Sequence, residues 1–522
     1  MMTAGTRELA ELCEGIVDVP PGIAVTDLTL DSRTVSRGGL FLACAGRRTH
    51  GLAALPEALA RGARAILWES AAGVSAPEVP ANVHLCEVPR LSARASRIAS
   101  LFFAAPSTAL RVAGITGTNG KTTTAWLLAQ ALSRLGTPAA YLGTLGVGLV
   151  PDGVVAGEYT TADAVSVQRQ LAAVRAAGAS CVAMEVSSHA LDQHRVADVR
   201  FRVAAFTNLT RDHLDYHGTM EAYGAAKARL FDMPQLETCV INVDDAFGAQ
   251  LAARRPHDML LLLAARTAAG RAAIESSRAR GHRVKSLIAT EWRTLPQGLA
   301  FVLEHVDEAG LHTRHELELP LIGEFNVDNA LITLGLLEAL GVTMTAAIGA
   351  LSSITAPPGR MEAIVDAHPA AASSALAIVD YAHTPDALAK ALRAARAHCG
   401  GRLHVVFGCG GDRDAGKRPL MGSVAAAMAD AVVITDDNPR SESPATIVAD
   451  IRSGLPQGAK ATVIHDRATA IRHALASAAT GDVVLVAGKG HEDYQLVGTE
   501  RRIFSDRAVI REFHASAAGA QH

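Results

Sequence analysis

The stretch GITGTNGKTTT, residues 114–124, holds the residue types that bind a triphosphate. Glycines let backbone N–H groups approach phosphate oxygens, a lysine brings positive charge, and a threonine hydroxyl can ligate magnesium. The spacing departs from the common phosphate loop, in which a first glycine stands five positions before the glycine of Gly-Lys-Thr. Counted back from Gly120, that position is Ile115, and the nearest glycines are Gly114 and Gly117. Gly117, Thr118, Asn119, Gly120, Lys121, Thr122 and Thr123 therefore read as a nucleotide loop of altered spacing, with Lys121 meeting the β- and γ-phosphates and Thr122 a magnesium ligand. Asn119 is expected in the left-handed conformation that asparagine tolerates. A phosphate-bound magnesium usually needs a carboxylate from a neighbouring strand, and Glu185 ends the apolar run SCVAMEV where a core residue would be expected. His213, in the segment TNLTRDHLDYHG, is a further candidate metal ligand.

Such a loop works only between a strand and a helix. RVAGI before it reads as a buried strand, and TTTAWLLAQALSRLG after it is amphipathic and of helix length. Short apolar runs alternate with Ala/Leu/Arg-rich stretches almost throughout, the pattern of α/β domains. A helix is expected through LAALPEALARGA, and strands at 180–186 and 203–209. The stretch 254–285 supports no assignment and reads as an insertion. Breaks fall at FFAAPSTAL (102–110) and at TAPPGR (355–360), where prolines and glycine interrupt any helix. The last part carries five strand-like runs: ALAIVDYAHTP, LHVVFGCGGDRD, AVVITDDNPR, ATVIHDR and DVVLVAGKGHED. Each ends in charged, Gly or Pro residues, and ligands of open α/β sheets sit outside the carboxyl ends of the strands.

A chain of 522 residues suggests roughly three domains, placed by these breaks at 1–105, 106–356 and 357–522. Hydrophobic residues at 49% and charged residues at 19% are ordinary for a globular protein, and a net charge of −3 argues against nucleic acid as a partner. Seven scattered cysteines without a C-x-x-C pair fit a reducing compartment. The N-terminal residues lack an apolar signal core, and MLLLLAA (259–265) is too short to span a bilayer. A cytoplasmic protein without membrane insertion, working as a monomer, is the expectation.

In the form TGTNGKTT the loop resembles that of the Mur ligase family of ATP-dependent amide-bond-forming enzymes. The resemblance runs from about residue 26 to 495 through LDSRTV, MEVSSHALDQHRV, FTNLTRDHLDYHGTMEAYGAAKARLF, GEFNVDNAL, PGRME, VDYAHTPDAL, FGCGGDRDAGKRPLM, DDNPR and GKGHEDYQ. It implies a UDP-sugar-binding domain, a central P-loop-type ATPase domain and a C-terminal Rossmann-like domain for an incoming amino acid. It further implies that meso-2,6-diaminopimelate is joined to UDP-N-acetylmuramoyl-L-alanyl-D-glutamate through an acyl phosphate, in peptidoglycan precursor synthesis.

Carried over residue by residue, the resemblance puts Leu30 and Ser32 at the UDP-sugar, with Arg47, Arg48 and Thr49 in a second loop. Thr160, Thr161, Ser187, Gln193 and Arg195 would meet its dipeptide. Lys227, which on sequence alone reads as a solvated helix lysine, matches the lysine that relatives carry as a carbamate, made with CO2 and holding a second magnesium with His213. ATP would lie between domains, met by Asn326, Asn329, Arg360, Asp380 and His383; on sequence alone the asparagine pair also reads as helix capping. Arg413, Asp437, Asn438, Pro439, Arg440, Gly488 and Glu492 match the diaminopimelate contacts. Arg440 suits the far carboxylate that distinguishes this amino acid from lysine. A lysine-adding ligase, or a nucleotide-dependent switch that ligates nothing, are the alternatives.

Overall fold

The computed structural model describes residues 5–46, 49–157, 159–365 and 375–519. Arg47 and Arg48 lie outside the described residues. The chain divides into two compact units. The first holds Met1–Ile288, His305–Leu311 and Leu331–Ala347; the second holds Ala289–Glu304, His312–Ala330 and Ile348–His522.

The first unit opens with a two-stranded pair, β1 (Arg7–Glu8) and β2 (Ala24–Val25), and a parallel sheet of β3 (Leu28–Thr29), β4 (Leu40–Ala43), β5 (Ala65–Glu69) and β6 (His84–Val88). β4 and β5 are buried along their whole length, as strands covered on both faces must be. Between them the expected helix forms as a 3-10 turn, Gly51–Ala54, running into Leu55–Ala60 with proline in its first turn. The helix Leu91–Phe102 buries Leu91, Ala95, Ile98, Ala99 and Phe102, and this core is continuous with Ala164 and Val165.

A second sheet of this unit contains β7 (Arg111–Thr116), β8 (Ala139–Gly143), β9 (Gly146–Leu149), β10 (Cys181–Glu185), β11 (Phe201–Phe206), β12 (Thr238–Asn242), β13 (Leu260–Ala265) and the start of β14 (Arg283–Leu295). Its order is β14-β13-β12-β11-β7-β10-β8-β9, parallel except for β9. The chain leaves β7 on one side and later returns on the other, so β7 lies at the point where strand order reverses. Crevices at such points hold the ligands of open α/β sheets.

The stretch 254–285 is not an insertion. Its apolar run is β13, fully buried apart from Leu260, and the helix Ala268–Ala279 returns the chain to β14. The signal was obscured because the run is uniformly apolar and its flanks are rich in arginine and alanine. At this end His282 is buried, stacks on His257 with ring centroids 4.5 Å apart, and has no partner for Nδ1 among the described residues. Burial first, then the His257 charge, hold its imidazole below the usual range, while a backbone bond to Pro256 opposes them. A depressed pKa contributes stability above the unfolded value, which is lost as pH falls through the folded one. His282→Phe should therefore lose less melting temperature than the parent between pH 7.5 and pH 5; equal losses would refute this reading.

The second unit takes in the rest of β14 from Ala289, with β15 (Gly298–Val306) as far as Glu304 and β16 (His312–Leu319) next in strand order. Its main sheet is β17 (Glu362–Ile364), β18 (Leu376–Asp380), β19 (Leu403–Phe407), β20 (Ala431–Ile434), β21 (Ala461–Val463) and β22 (Val483–Ala487), in the order β17-β18-β22-β19-β20-β21. All pairs are parallel except β17 with β18. The five strand-like runs of the sequence are β18 to β22. The helix Pro385–Arg396 shows why these elements form: Thr384 caps it, proline stands in its first turn, and Leu388, Ala391, Leu392 and Ala395 bury one face. A hairpin of β23 (Tyr494–Val497) and β24 (Glu500–Ile503) completes the unit. Among the described residues no helix is long and apolar enough to cross a membrane.

Candidate active site

The loop after β7 turns through Gly117 and Gly120 into the helix Lys121–Arg134. Gly120 is left-handed at φ 86°, and a Cβ on Gly117 would lie 1.9 Å from Thr207 Oγ1. Both positions require glycine. Asn119 is not in the left-handed region, against expectation. Its backbone N–H donates to Asn208 Oδ1 at 2.9 Å and its carbonyl accepts from Thr207 Oγ1 at 2.6 Å, so contacts with the loop after β11 set its conformation. Thr118 joins the same lattice through Asn208 and Thr210. Thr207 and Asn208 were not singled out in the sequence; their place after an apolar strand, in TNLT, was the available signal. Thr123 follows in the helix, partly buried.

Lys121 donates from Nζ to the carbonyls of Gly117 (2.8 Å) and Thr118 (2.9 Å). Lys227, in the helix Met220–Ala228, donates to the same Gly117 oxygen at 2.7 Å. It is 1% exposed, with its ammonium 4.4 Å from the centre of the Tyr223 ring. The solvated reading of Lys227 is therefore overturned. Burial, and then the Lys121 charge, hold its amine well below the usual lysine range, with Asp212 opposing.

Glu185 ends β10 at 1% exposure. Its partners among the described residues are neutral donors: Thr122 Oγ1 at 2.9 Å, the Thr144 N–H at 2.9 Å, the Thr144 hydroxyl at 3.4 Å and the Tyr141 hydroxyl. An uncompensated buried carboxylate beside a threonine hydroxyl is a hard-oxygen pair that fits magnesium. His213 lies elsewhere on this wall, at the start of Leu214–His217, half-exposed at φ 52°. Its ring packs 4.9 Å from His189 and 6.1 Å from Tyr223, the residue that also covers Lys227. Among the described residues no group of three or more His, Cys, Asp or Glu side chains is arranged to hold a metal.

A cavity of about 800 Å³ lies in the same unit. Leu30, Asp31, Arg33 and Gly46 line it from the first sheet, and Asp163, Gln193 and Arg195 from the second. Arg195 donates twice to Gln193 Oε1 and once to the Thr161 carbonyl, and burial lowers its guanidinium pKa. Thr160 and Thr161 line a smaller neighbouring cavity, and the Thr161 hydroxyl donates to the Glu185 carbonyl at 2.9 Å. Ser187 caps the short helix Ser188–Asp192. Ser32 is not in the lining; its hydroxyl donates to Glu57 at 2.6 Å. Thr49 is exposed, its carbonyl bonded to the Gly46 N–H.

In the second unit, Asn326 and Asn329 are buried at the start of the helix Phe325–Ala339. Asn326 donates to the Ile322 carbonyl and accepts from Asn329, each at 2.8 Å, so neither of these bonds is a side-chain cap. Arg360 stacks on the Tyr381 ring at 4.9 Å. Asp380 ends β18 and accepts from the N–H groups of Met361 and Ala382, while burial raises its carboxyl. His383 bonds the Tyr381 carbonyl and is exposed.

The loops after β19, β20 and β22 bring the remaining candidates together. Asp437, Asn438 and Pro439 are buried, Arg413 is exposed, and Arg440 is half-buried. Asn438 donates to Glu492 Oε2 at 3.0 Å. Arg440 donates from Nη1 to the Gly411 carbonyl at 2.7 Å, and its backbone is pinned to the hairpin at Leu496 and Gly498. Gly488, at φ 117°, faces Asp437. Tyr381 and Lys489, absent from the sequence candidates, sit among these groups. Lys489 was detectable as a lysine set between glycines directly after a buried strand.

Three family models match in chain order: Mur ligase family, catalytic domain, over residues 24–103; Mur ligase middle domain over 115–337; and Mur ligase, glutamate ligase domain over 359–490. The UDP-N-acetylmuramoyl-L-alanyl-D-glutamate--2,6-diaminopimelate ligase of Xanthomonas campestris pv. campestris (strain 8004) is 47% identical over 491 residues, 94% of this chain and 94% of its own. The protein of that name from Pseudomonas aeruginosa is 46% identical over 487 residues, covering 93% of this chain and 94% of the relative. A solved structure bearing the same name matches with a TM-score of 0.67 at 34% identity, covering 99% of this chain and 100% of that one. With its three domains matched in order and such relatives spanning nearly its whole length, the chain belongs to the Mur ligase family.

Proposed function

We propose that the protein joins meso-2,6-diaminopimelate to the D-glutamate of UDP-N-acetylmuramoyl-L-alanyl-D-glutamate with cleavage of ATP. The observation that carries the reading is the amino-acid pocket: buried Asp437 and partly buried Glu492 for an ammonium, with Arg440 beside them for a carboxylate. The substrate γ-carboxylate attacks the γ-phosphate, giving an acyl phosphate and ADP. The amine of diaminopimelate then attacks the acyl carbon, and phosphate leaves from the tetrahedral intermediate. The chain's main task is to bring two anions into line. Lys121 and the N-terminus of its helix meet the transferring phosphate.

Thr122 and Glu185 would hold magnesium, and His213 with a carbamate on Lys227 a second one; these ions neutralise phosphate charge when bound. The buried Lys227 amine beside a second ammonium favours its neutral form, which is the form that adds to CO2. The 800 Å³ cavity is of the size that takes a nucleotide sugar, with Gln193 and Arg195 towards its dipeptide. Asn326, Asn329, Arg360, Asp380 and His383 would grip ATP, and the domains would divide at 1–105, 106–356 and 357–522. A cytoplasmic monomer is consistent with soluble substrates.

The deciding experiment is phosphate release from ATP with the UDP-dipeptide acceptor, comparing meso-diaminopimelate with L-lysine. Release with diaminopimelate alone is expected. Release with lysine instead would overturn the pocket assignment, and release with neither would overturn the ligase reading.

A further inference from the structure

Lys489 is 0% exposed, among the most enclosed charges of the chain. Burial of an ammonium is costly unless acceptors surround it. Its Nζ donates to Asn438 Oδ1 and to Glu492 Oε2, each at 3.0 Å, and stands 3.8 Å from Asp437 Oδ1. The flanking residues explain how a lysine comes to lie there. Gly488 and Gly490 both have positive φ, 117° and 54°. A Cβ on Gly488 would lie 2.5 Å from Asp437 Oδ2, and one on Gly490 2.7 Å from Tyr381 Cβ. Both flanking positions therefore require glycine.

The bonds dictate orientation. An ammonium is a pure donor, so it fixes which end of the Asn438 amide is oxygen, and the Leu496 N–H agrees with it at 2.9 Å. The amide nitrogen is then forced towards Glu492 Oε2, the oxygen Lys489 also holds. Neither bond uses Oε1. Asp437 has no hydrogen bond to its carboxylate among the described residues, its nearest cation being Lys489.

We propose that Lys489 is a positioning residue of the amino-acid pocket, pinning Asn438 and one oxygen of Glu492 so that Glu492 Oε1 and Asp437 stay available to the substrate ammonium. This rests on the ligase reading above. It makes Lys489 a residue that acts on amino-acid capture and leaves the phosphate chemistry untouched.

The test uses full-length Lys489→Met and Lys489→Arg, followed by phosphate release with ATP and the UDP-dipeptide saturating and meso-diaminopimelate varied. Lys489→Met should raise the KM for diaminopimelate tenfold or more, with kcat and the KM values for the other two substrates within about twofold. Lys489→Arg should recover most of that loss. An unchanged diaminopimelate KM, or a parallel rise in all three KM values with a lowered melting temperature, would overturn the proposal. Should Lys489→Met leave an uncompensated carboxylate and fail to fold, the double variant Lys489→Met/Glu492→Gln removes both charges. Its diaminopimelate KM should match that of Glu492→Gln alone; a further tenfold rise would mean that Lys489 does not act through Glu492. Absence of phosphate release by the unaltered protein would instead overturn the ligase reading and this inference with it.

Discussion

Replacing Lys121 by alanine should lower ATP-dependent ligation by roughly 10³-fold or more, the scale seen when a cation at a transferring phosphoryl group is lost. Lys121 opens the helix that follows β7, and its Nζ hangs over the loop carbonyls of Gly117 and Thr118. A charge there can follow the phosphate into the transition state without rebuilding the loop. The same substitution should not lower the melting temperature. Lys227 donates to the same Gly117 oxygen as Lys121, so that carbonyl keeps a donor when Lys121 is lost. Phosphate release and thermal melting, measured on one preparation, test both halves. Retained ATP turnover would refute the phosphate-loop role, and a large fall in melting temperature would show that Lys121 is structural.

Arg440 gives the second large effect. Two charge-assisted hydrogen bonds to the far carboxylate of diaminopimelate are together worth about 3 kcal/mol, or roughly 10²-fold in KM. Arg440→Asn is the informative variant because Arg440 sits in the left-handed region at φ 52°. Asparagine tolerates that conformation better by an amount of order 1 kcal/mol. That offsets the lost bond to the Gly411 carbonyl, itself worth about 1 kcal/mol. The variant should therefore melt within a few degrees of the parent while its KM for diaminopimelate rises about 10²-fold. Its preference for diaminopimelate over lysine should shrink in step. An unmoved KM would remove Arg440 from substrate recognition.

What the sequence disclosed follows from how local each signal is. The altered loop, the strand before it and the helix after it were legible because glycine, lysine and apolar periodicity act within a dozen residues. Glu185 stood out as a charge at the end of an apolar run, and its burial bears that out. The β18 to β22 runs were legible because each is a short uninterrupted apolar segment closed by a polar loop. Lys227 was not, because nothing in AAKARLF says that Tyr223 and the Gly117 carbonyl will close over it. Asn119 failed for the same reason: its backbone obeys Thr207 and Asn208, some ninety residues away. The stretch 254–285 hid β13 because a strand buried on both faces carries no alternation to read.

The contrast between Arg440 and Lys489 has a consequence for how such a pocket changes over evolutionary time. Lys489 is locked between two irreplaceable glycines and three polar partners, so any single change there damages several contacts at once. Arg440 stands on a half-buried loop whose backbone is tied to the β23–β24 hairpin independently of its side chain. Mutation can exchange that side chain and leave the loop in place. In the proposed pocket the partners of the substrate ammonium are frozen, and the partner of the far carboxylate is a single substitutable position. Divergence in amino-acid choice would begin at Arg440.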